Sequence, residues 1–233
     1  MQHATSAVLA GRLPRAVRAA AASAALAATL AGCDGPSAAR LEVMGDLAYA
    51  DGRYQEALAN YEAALDKQPN DAESHFDRGQ ALLALERPLE AREAFAVAVD
   101  LEPENRAYLD AFIDALVEAG REGRAIELLE NRANDALTAE AFIRLGDLLR
   151  RLGLPDEARV AYRRAAAVSE GTKPDPYLAL AGLYRSLGDA QAELRQLSYA
   201  LDLDPENVSA QQRVRELGEI PGPSFRQTPP DRD

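Results

Sequence analysis

The sequence predicts an all-α chain: a solenoid of about five helix-turn-helix repeats closed by one further helix. Three observations predict it. A pattern of small, bulky and turn-forming residues recurs along most of the chain with a period near 34 residues. The composition is helical, 47% apolar but only 6% aromatic, without tryptophan and without any block of alternating β-branched residues. Capping and breaking residues also fall at regular intervals, where helical hairpins need ends and turns.

The repeating unit is clearest over Leu41 to Asn70, which reads as two amphipathic helices, a tight turn at Asp51-Gly52 and a stop at Pro69. In the first helix a small residue recurs as Gly45, Gly79, Gly146 and Ala181, and the turn column holds Gly52, Glu86, Gly120, Gly153 and Gly188. In the second helix Ala57, Ala91, Ala125 and Ala158 form an alanine column that breaks at Glu193. Four residues on stand Tyr61, Phe95, Leu129, Tyr162 and Leu197, followed three further by Ala64, Ala98, Arg132, Ala165 and Ala200. Small residues let two helical backbones approach, and a bulky residue four positions along lies on the same face and fills the remaining space. A single hairpin cannot bury its apolar face; stacked hairpins can.

In chain order, the first 32 residues stand apart. Arg12, Arg15 and Arg18 precede an apolar run from Ala19 to Ala31, and no acid occurs before Asp34. A basic start, a short apolar core and small residues at its end describe a secretory signal, too short to span a membrane. The run closes in Leu30-Ala31-Gly32-Cys33, which resembles the lipobox of bacterial lipoproteins. That resemblance implies cleavage after Gly32 and a covalent lipid (a diacylglyceryl group and fatty acyl chain such as palmitate) on Cys33, with no other cofactor expected. Cys33 is the single cysteine, so no intrachain disulfide is available. Cleavage removes three arginines and no acid, which takes the net charge from −12 to −15. A chain this acidic is not built for nucleic acid or for an electrostatic hold on anionic lipid. Residues 33–37 would be the lipidated N-terminus and a short tether.

Five repeats are expected at 38–71, 72–105, 106–138, 139–173 and 174–207. Their helices fall near 40–51, 54–67, 72–85, 88–100, 106–119, 122–131, 139–151, 155–169, 175–187 and 190–202. Asp71, Asn105, Thr138 and Asn207 read as N-caps, Asp175 as a cap before Pro176, and Pro88 and Pro155 as first-turn prolines. The third repeat is the weakest: Arg132 replaces a small residue and Asn131 to Thr138 loses helical periodicity. An eleventh helix, within 208–218, has the polar face of a capping helix, and the Pro-rich stretch 219–233 reads as a disordered tail.

From Ala38 to Asn207 the columns resemble the tetratricopeptide repeat family, whose helix-turn-helix unit is 34 residues long. The resemblance implies a right-handed solenoid whose first helices line a concave, partner-binding groove. Carried over repeat by repeat, the groove residues would be Glu42, Asp46 and Tyr49; then Glu73, Phe76, Gln80 and Leu83; then Asp110, Asp114, Val117 and Glu118. Glu140, Ile143, Asp147, Arg150 and Arg151 would follow, with Leu178 and Arg185 last. Such a groove is acidic over its first three repeats and carries arginines toward its far end. It suits a basic or mixed-charge protein or peptide with apolar groups for Tyr49, Phe76, Leu83 and Val117.

Catalytic signals are sparse. His75 is the only histidine and Cys33 the only cysteine beyond the leader, and no metal, phosphate-loop or nucleophile-elbow motif occurs. Asp110 and Asp114 share a helix face as many solvated pairs do. The expectation is therefore no enzyme, no small-molecule substrate and no metal. The expected function is a membrane-tethered scaffold or adaptor on the periplasmic side of a bacterial envelope, inner or outer membrane undecided. Its layout is similar to lipoproteins that serve pilus or secretin assembly. The alternatives are an adaptor for peptidoglycan enzymes or proteases and, more remotely, a hydrolase using paired carboxylates.

Overall fold

The structure, a computed structural model, describes residues 35–230. The signal segment and Cys33 expected from the sequence lie outside the described residues. Eleven α-helices are described, and no strand is found among the described residues. The chain divides into two compact units at Arg121/Glu122. Unit 1 holds α1 (Ala38–Ala50), α2 (Tyr54–Leu65), α3 (Ala72–Ala84), α4 (Pro88–Leu101) and α5 (Arg106–Glu118). Unit 2 holds α6 (Glu122–Ala136), α7 (Ala139–Arg151), α8 (Pro155–Val168), α9 (Asp175–Leu187), α10 (Ala190–Leu203) and α11 (Val208–Glu216). Within each unit every helix packs on the next in sequence, as a stack of hairpins requires.

Local chemistry accounts for the helix ends. The side chains of Asp71, Asn105, Thr138 and Asn207 accept hydrogen bonds from the backbone N–H of Ser74, Ala107, Ala141 and Ala210, satisfying donors that each helix start leaves open. Pro88 and Pro155 open their helices where a missing N–H costs nothing. At the hairpin turns the chain adopts a left-handed backbone, and the glycine column meets that need with φ near +75° at Gly52 and Gly188. Glu86 holds the same position with φ +58° and without glycine's freedom.

Packing explains the small columns. A Cβ added to Gly45 would lie 2.5 Å from a ring carbon of Tyr61, and one added to Gly79 the same distance from Phe95; Gly146 is as tightly covered by Tyr162. The aromatic ring of the second helix therefore rests directly on the first helix's backbone. Around these contacts Ala48, Ala57, Ala81, Ala91 and Ala115 lose all exposure and join Leu58, Leu82 and Phe95 in the core of unit 1. Unit 2 repeats the scheme with Ala133, Ala139, Phe142 and Ala165, then Ala166, Tyr177 and Ala200.

Three expectations need correction. Helix α6 runs to Ala136 rather than ending near 131. Ala125, Leu129 and Ala133 are all buried at a four-residue spacing, so the apolar stripe continues one position away from Arg132, and the helix stops at Leu137 with φ +49°. Asp175 does not cap: it is the first residue of α9, behind Pro174, with no side-chain cap bond. Nor are residues 219–230 a loose tail. They form turns, but Phe225 packs against the cluster of Ala181, Leu197, Leu201, Ala210 and Val214, and Pro229 is buried. One aromatic ring meeting an open apolar end is enough to draw the segment back.

Candidate functional site

Unit 1 carries the surface that the sequence singled out, on α1, α3 and α5. Glu42, Tyr49, Phe76, Gln80, Leu83, Asp114 and Val117 are half-buried, and Asp110 is exposed. Phe76 is central. Its ring lies 4.9 Å from that of Tyr108 on α5 and 5.6 Å from that of Phe95 beneath it. Tyr49 stands edge-on to Tyr54 at 5.2 Å. Tyr49, Phe76 and Leu83 pack against the core while keeping part of their surface open, as do Ala111 and Phe112. Tyr108, Ala111 and Phe112 escaped the sequence reading, which took Asp110, Asp114, Val117 and Glu118 on α5.

Negative charge gathers on the same helices. Burial pushes the Tyr61 hydroxyl well above its ordinary range, and the charges of Asp77 and Asp46 push it further. Tyr108 is pushed up to about 12, first by burial and then by Glu102, Glu73 and Asp77. Tyr49 rises by burial, then by Tyr54 and Asp77. Asp77 thus acts on three tyrosines from three different helices. The sequence reading missed it, although it shares the stripe of Glu73, Phe76 and Gln80.

Asp46 has a different job. It is 5% exposed, and the Tyr61 hydroxyl donates to its Oδ1 at 3.0 Å. Its carboxylate serves the hairpin and is not presented to the groove. In unit 2 the equivalent pair recurs, with the Tyr162 hydroxyl donating to Asp147 Oδ1 at 2.8 Å. Where phenylalanine stands at 95, glutamine stands at 80, so the acid appears where a hydroxyl needs an acceptor. Glu42 is also engaged, accepting from the Ser74 hydroxyl at 3.1 Å. His75 presents Nε2 to the Pro69 carbonyl at 2.8 Å and pins the preceding turn.

Of the predicted groove residues in unit 2, Glu140, Asp147, Arg150, Arg151 and Arg185 are exposed, and Ile143 and Leu178 are half-buried. Arg150 lies 3.8 Å from Asp147, so one acid and one cation already compensate each other there. Glu193, where the alanine column breaks, is 2% exposed and binds Arg213 of α11 through two hydrogen bonds of 2.6 and 2.9 Å. The break is thus the seat of the capping helix. Unit 2 also has an open cleft of about 350 Å³ among α6, α7 and α8, lined by Glu130, Asn134, Leu145, Leu149, Val160 and Arg164 among others. Among the described residues no group of three or more acidic, histidine or cysteine side chains is placed to hold a metal. No helix among them is long and apolar enough to cross a membrane.

Comparison with known proteins identifies the repeats in two stretches of the chain. Models described as tetratricopeptide repeat match residues 43–106 and 139–171. Among solved structures, a MamA protein is similar at 20% identity, with 76% of this chain and 96% of that one covered and a TM-score of 0.50. A MamA fragment from Desulfovibrio magneticus RS-1 has 18% identity, coverage of 75% and 98%, and a TM-score of 0.50. PilF of Pseudomonas aeruginosa has 18% identity, coverage of 78% and 82%, and a TM-score of 0.48. No curated protein sequence matches the chain. Residues 43–106 and 139–171 are thus tetratricopeptide repeats, a family of scaffolds for protein–protein interaction, and the stacked helical hairpins around them have the same fold.

Proposed function

We propose that this protein is a membrane-tethered adaptor that holds a basic or mixed-charge protein segment on the inner face of unit 1, at the periplasmic side of a bacterial envelope. The observation that carries the binding half is the pair of partly open aromatic faces, Tyr49 on α1 and Phe76 on α3, the latter backed by the buried Tyr108, with Glu73 and Asp77 on the same helix as Phe76. Aromatic faces beside carboxylates attract lysine and arginine side chains by charge and by the ring quadrupole, and offer apolar purchase to their neighbours. The tethering half rests on the leader and Leu30-Ala31-Gly32-Cys33. A role in assembling a pilus or secretion machine fits this layout. The work is recognition, with no step of catalysis assigned to any residue.

The test is crosslinking in intact envelopes, comparing the native chain with a Glu73→Lys, Asp77→Lys variant; Asp46 is left alone because it is buried. One dominant partner, lost in the variant, is expected. Partners that persist unchanged would remove the unit 1 surface from consideration, and an empty capture from both would remove the adaptor reading itself.

A further inference from the structure

The exposed residues of α1 are Ala39, Arg40, Val43, Met44, Leu47 and Ala50, without a single acid. In a chain of net charge −12 this is a notable exclusion. Arg40, Val43, Met44 and Leu47 follow the spacing i, i+3, i+4, i+7, so they form one outward stripe. Val43, Met44 and Leu47 keep 40%, 41% and 50% of their surface open. The closing helix α11 differs: apart from Val208 at its first position, its exposed residues Ser209, Gln212, Arg215 and Glu216 are polar and no apolar stripe forms.

Two facts say what covers the α1 stripe. Cys33 lies five residues before Ala38, and a fully extended chain of that length reaches no more than roughly 17 Å. A lipid on Cys33 would therefore hold the start of α1 at the headgroup layer. The stripe is also too small for a stable partner of its own kind: its three apolar residues offer on the order of 250 Å², against about 800 Å² per subunit in a standard interface. A narrow apolar stripe with an arginine at its anchored end matches the interfacial zone of a bilayer, where the cation stays among phosphates and the apolar groups enter the acyl boundary.

We infer that α1 lies on the membrane as a second contact beside the lipid anchor, with Val43, Met44 and Leu47 entering the bilayer surface. The inference rests on the lipoprotein reading proposed above. Its consequence is orientational: the lipid alone permits any tilt of unit 1, whereas a seated α1 selects one.

The chain has no tryptophan, so Met44→Trp gives a single reporter. The full lipoprotein, purified from envelopes, is reconstituted in vesicles of phosphatidylethanolamine and phosphatidylglycerol, with brominated lipid as the quencher. At least a twofold loss of Trp emission is expected, with little when Val43→Glu and Leu47→Glu are added; Leu47→Trp is the second reporter should Met44→Trp fold poorly. Unquenched emission from a chain that carries its lipid by mass overturns the inference and leaves the lipoprotein reading standing. A chain without lipid on Cys33 overturns both. Shielding already present in detergent, together with a doubled mass, assigns the stripe to a second copy and overturns the membrane contact.

Discussion

Units 1 and 2 use the same device in different surroundings. Each sets a tyrosine of a second helix on a glycine of the first and ties its hydroxyl to the aspartate that follows that glycine. In unit 1 the aspartate is Asp46, buried to 5% exposure, and the charge of Asp77 acts on the same Tyr61 hydroxyl. In unit 2 it is Asp147, whose side chain is 53% exposed with Arg150 at 3.8 Å. The steric half of the device is therefore equal in the two units, while the polar half is desolvated in one and shared with solvent and a cation in the other. Two aspartates, Asp77 and Asp46, act on the Tyr61 hydroxyl, whereas at Tyr162 the charge of Arg150 opposes that of Asp147.

The largest effect should come from breaking the steric half. Gly45→Ala in unit 1 and Gly146→Ala in unit 2 each drive a methyl into an aromatic ring, and each should cost about 2–3 kcal/mol in chemical denaturation. The last repeat shows the remedy, since Ala181 stands in the glycine column where the matching bulky position of the second helix is Leu197 and not an aromatic, and the two share one cluster. Gly79→Ala should accordingly be rescued in part by Phe95→Leu, and a loss that is merely additive would show that the ring is not what the glycine accommodates.

A smaller effect separates the units. Tyr61→Phe strands a buried carboxylate oxygen and should cost about 2 kcal/mol. Tyr162→Phe should cost under about 1 kcal/mol, because water reaches Asp147 in its place. Equal losses in urea titrations would mean that burial of the aspartate does not distinguish the two pairs.

The smallest effect is on pH. A tyrosine whose folded pKa is raised keeps its proton longer folded than unfolded, so its contribution is complete below the ordinary value of 10.0 and declines as pH climbs from there toward the folded value. Tyr49, Tyr61 and Tyr108 carry this shift in unit 1 and Tyr162 in unit 2, with Tyr108 at about 12. Stability should fall between pH 10 and 12, with unit 1 losing more. Tyrosinate absorbance followed alongside helical circular dichroism checks it: tyrosines titrating at the ordinary value with the helices intact would contradict the shift.

Much of this fold is legible in the chain because its rules are local. Asp71, Asn105, Thr138 and Asn207 cap helices that begin one residue later, and Pro88 and Pro155 open theirs; neither device needs a distant partner. The site is less legible. Phe76 and Tyr49 were found by position in the repeat, but Asp77 and Tyr108 matter through one another and through Tyr61, across three hairpins. Asp46 was read as a groove acid because its partner lies 15 residues away in sequence.

By itself the sequence determined the period, the hairpin unit and most of the helix ends, since spacing and capping act over one or two turns of helix. Tertiary structure decided which carboxylates are offered and which are withdrawn: Asp46 under Tyr61, Asp147 beside Arg150, Glu193 beneath Arg213. It also decided that α6 continues past Arg132 and that Phe225 returns to the open end of unit 2. The physical reason is common to all of these. A charge or an aromatic ring reads the same on any exposed helix, and its role is set by what packing removes from water around it.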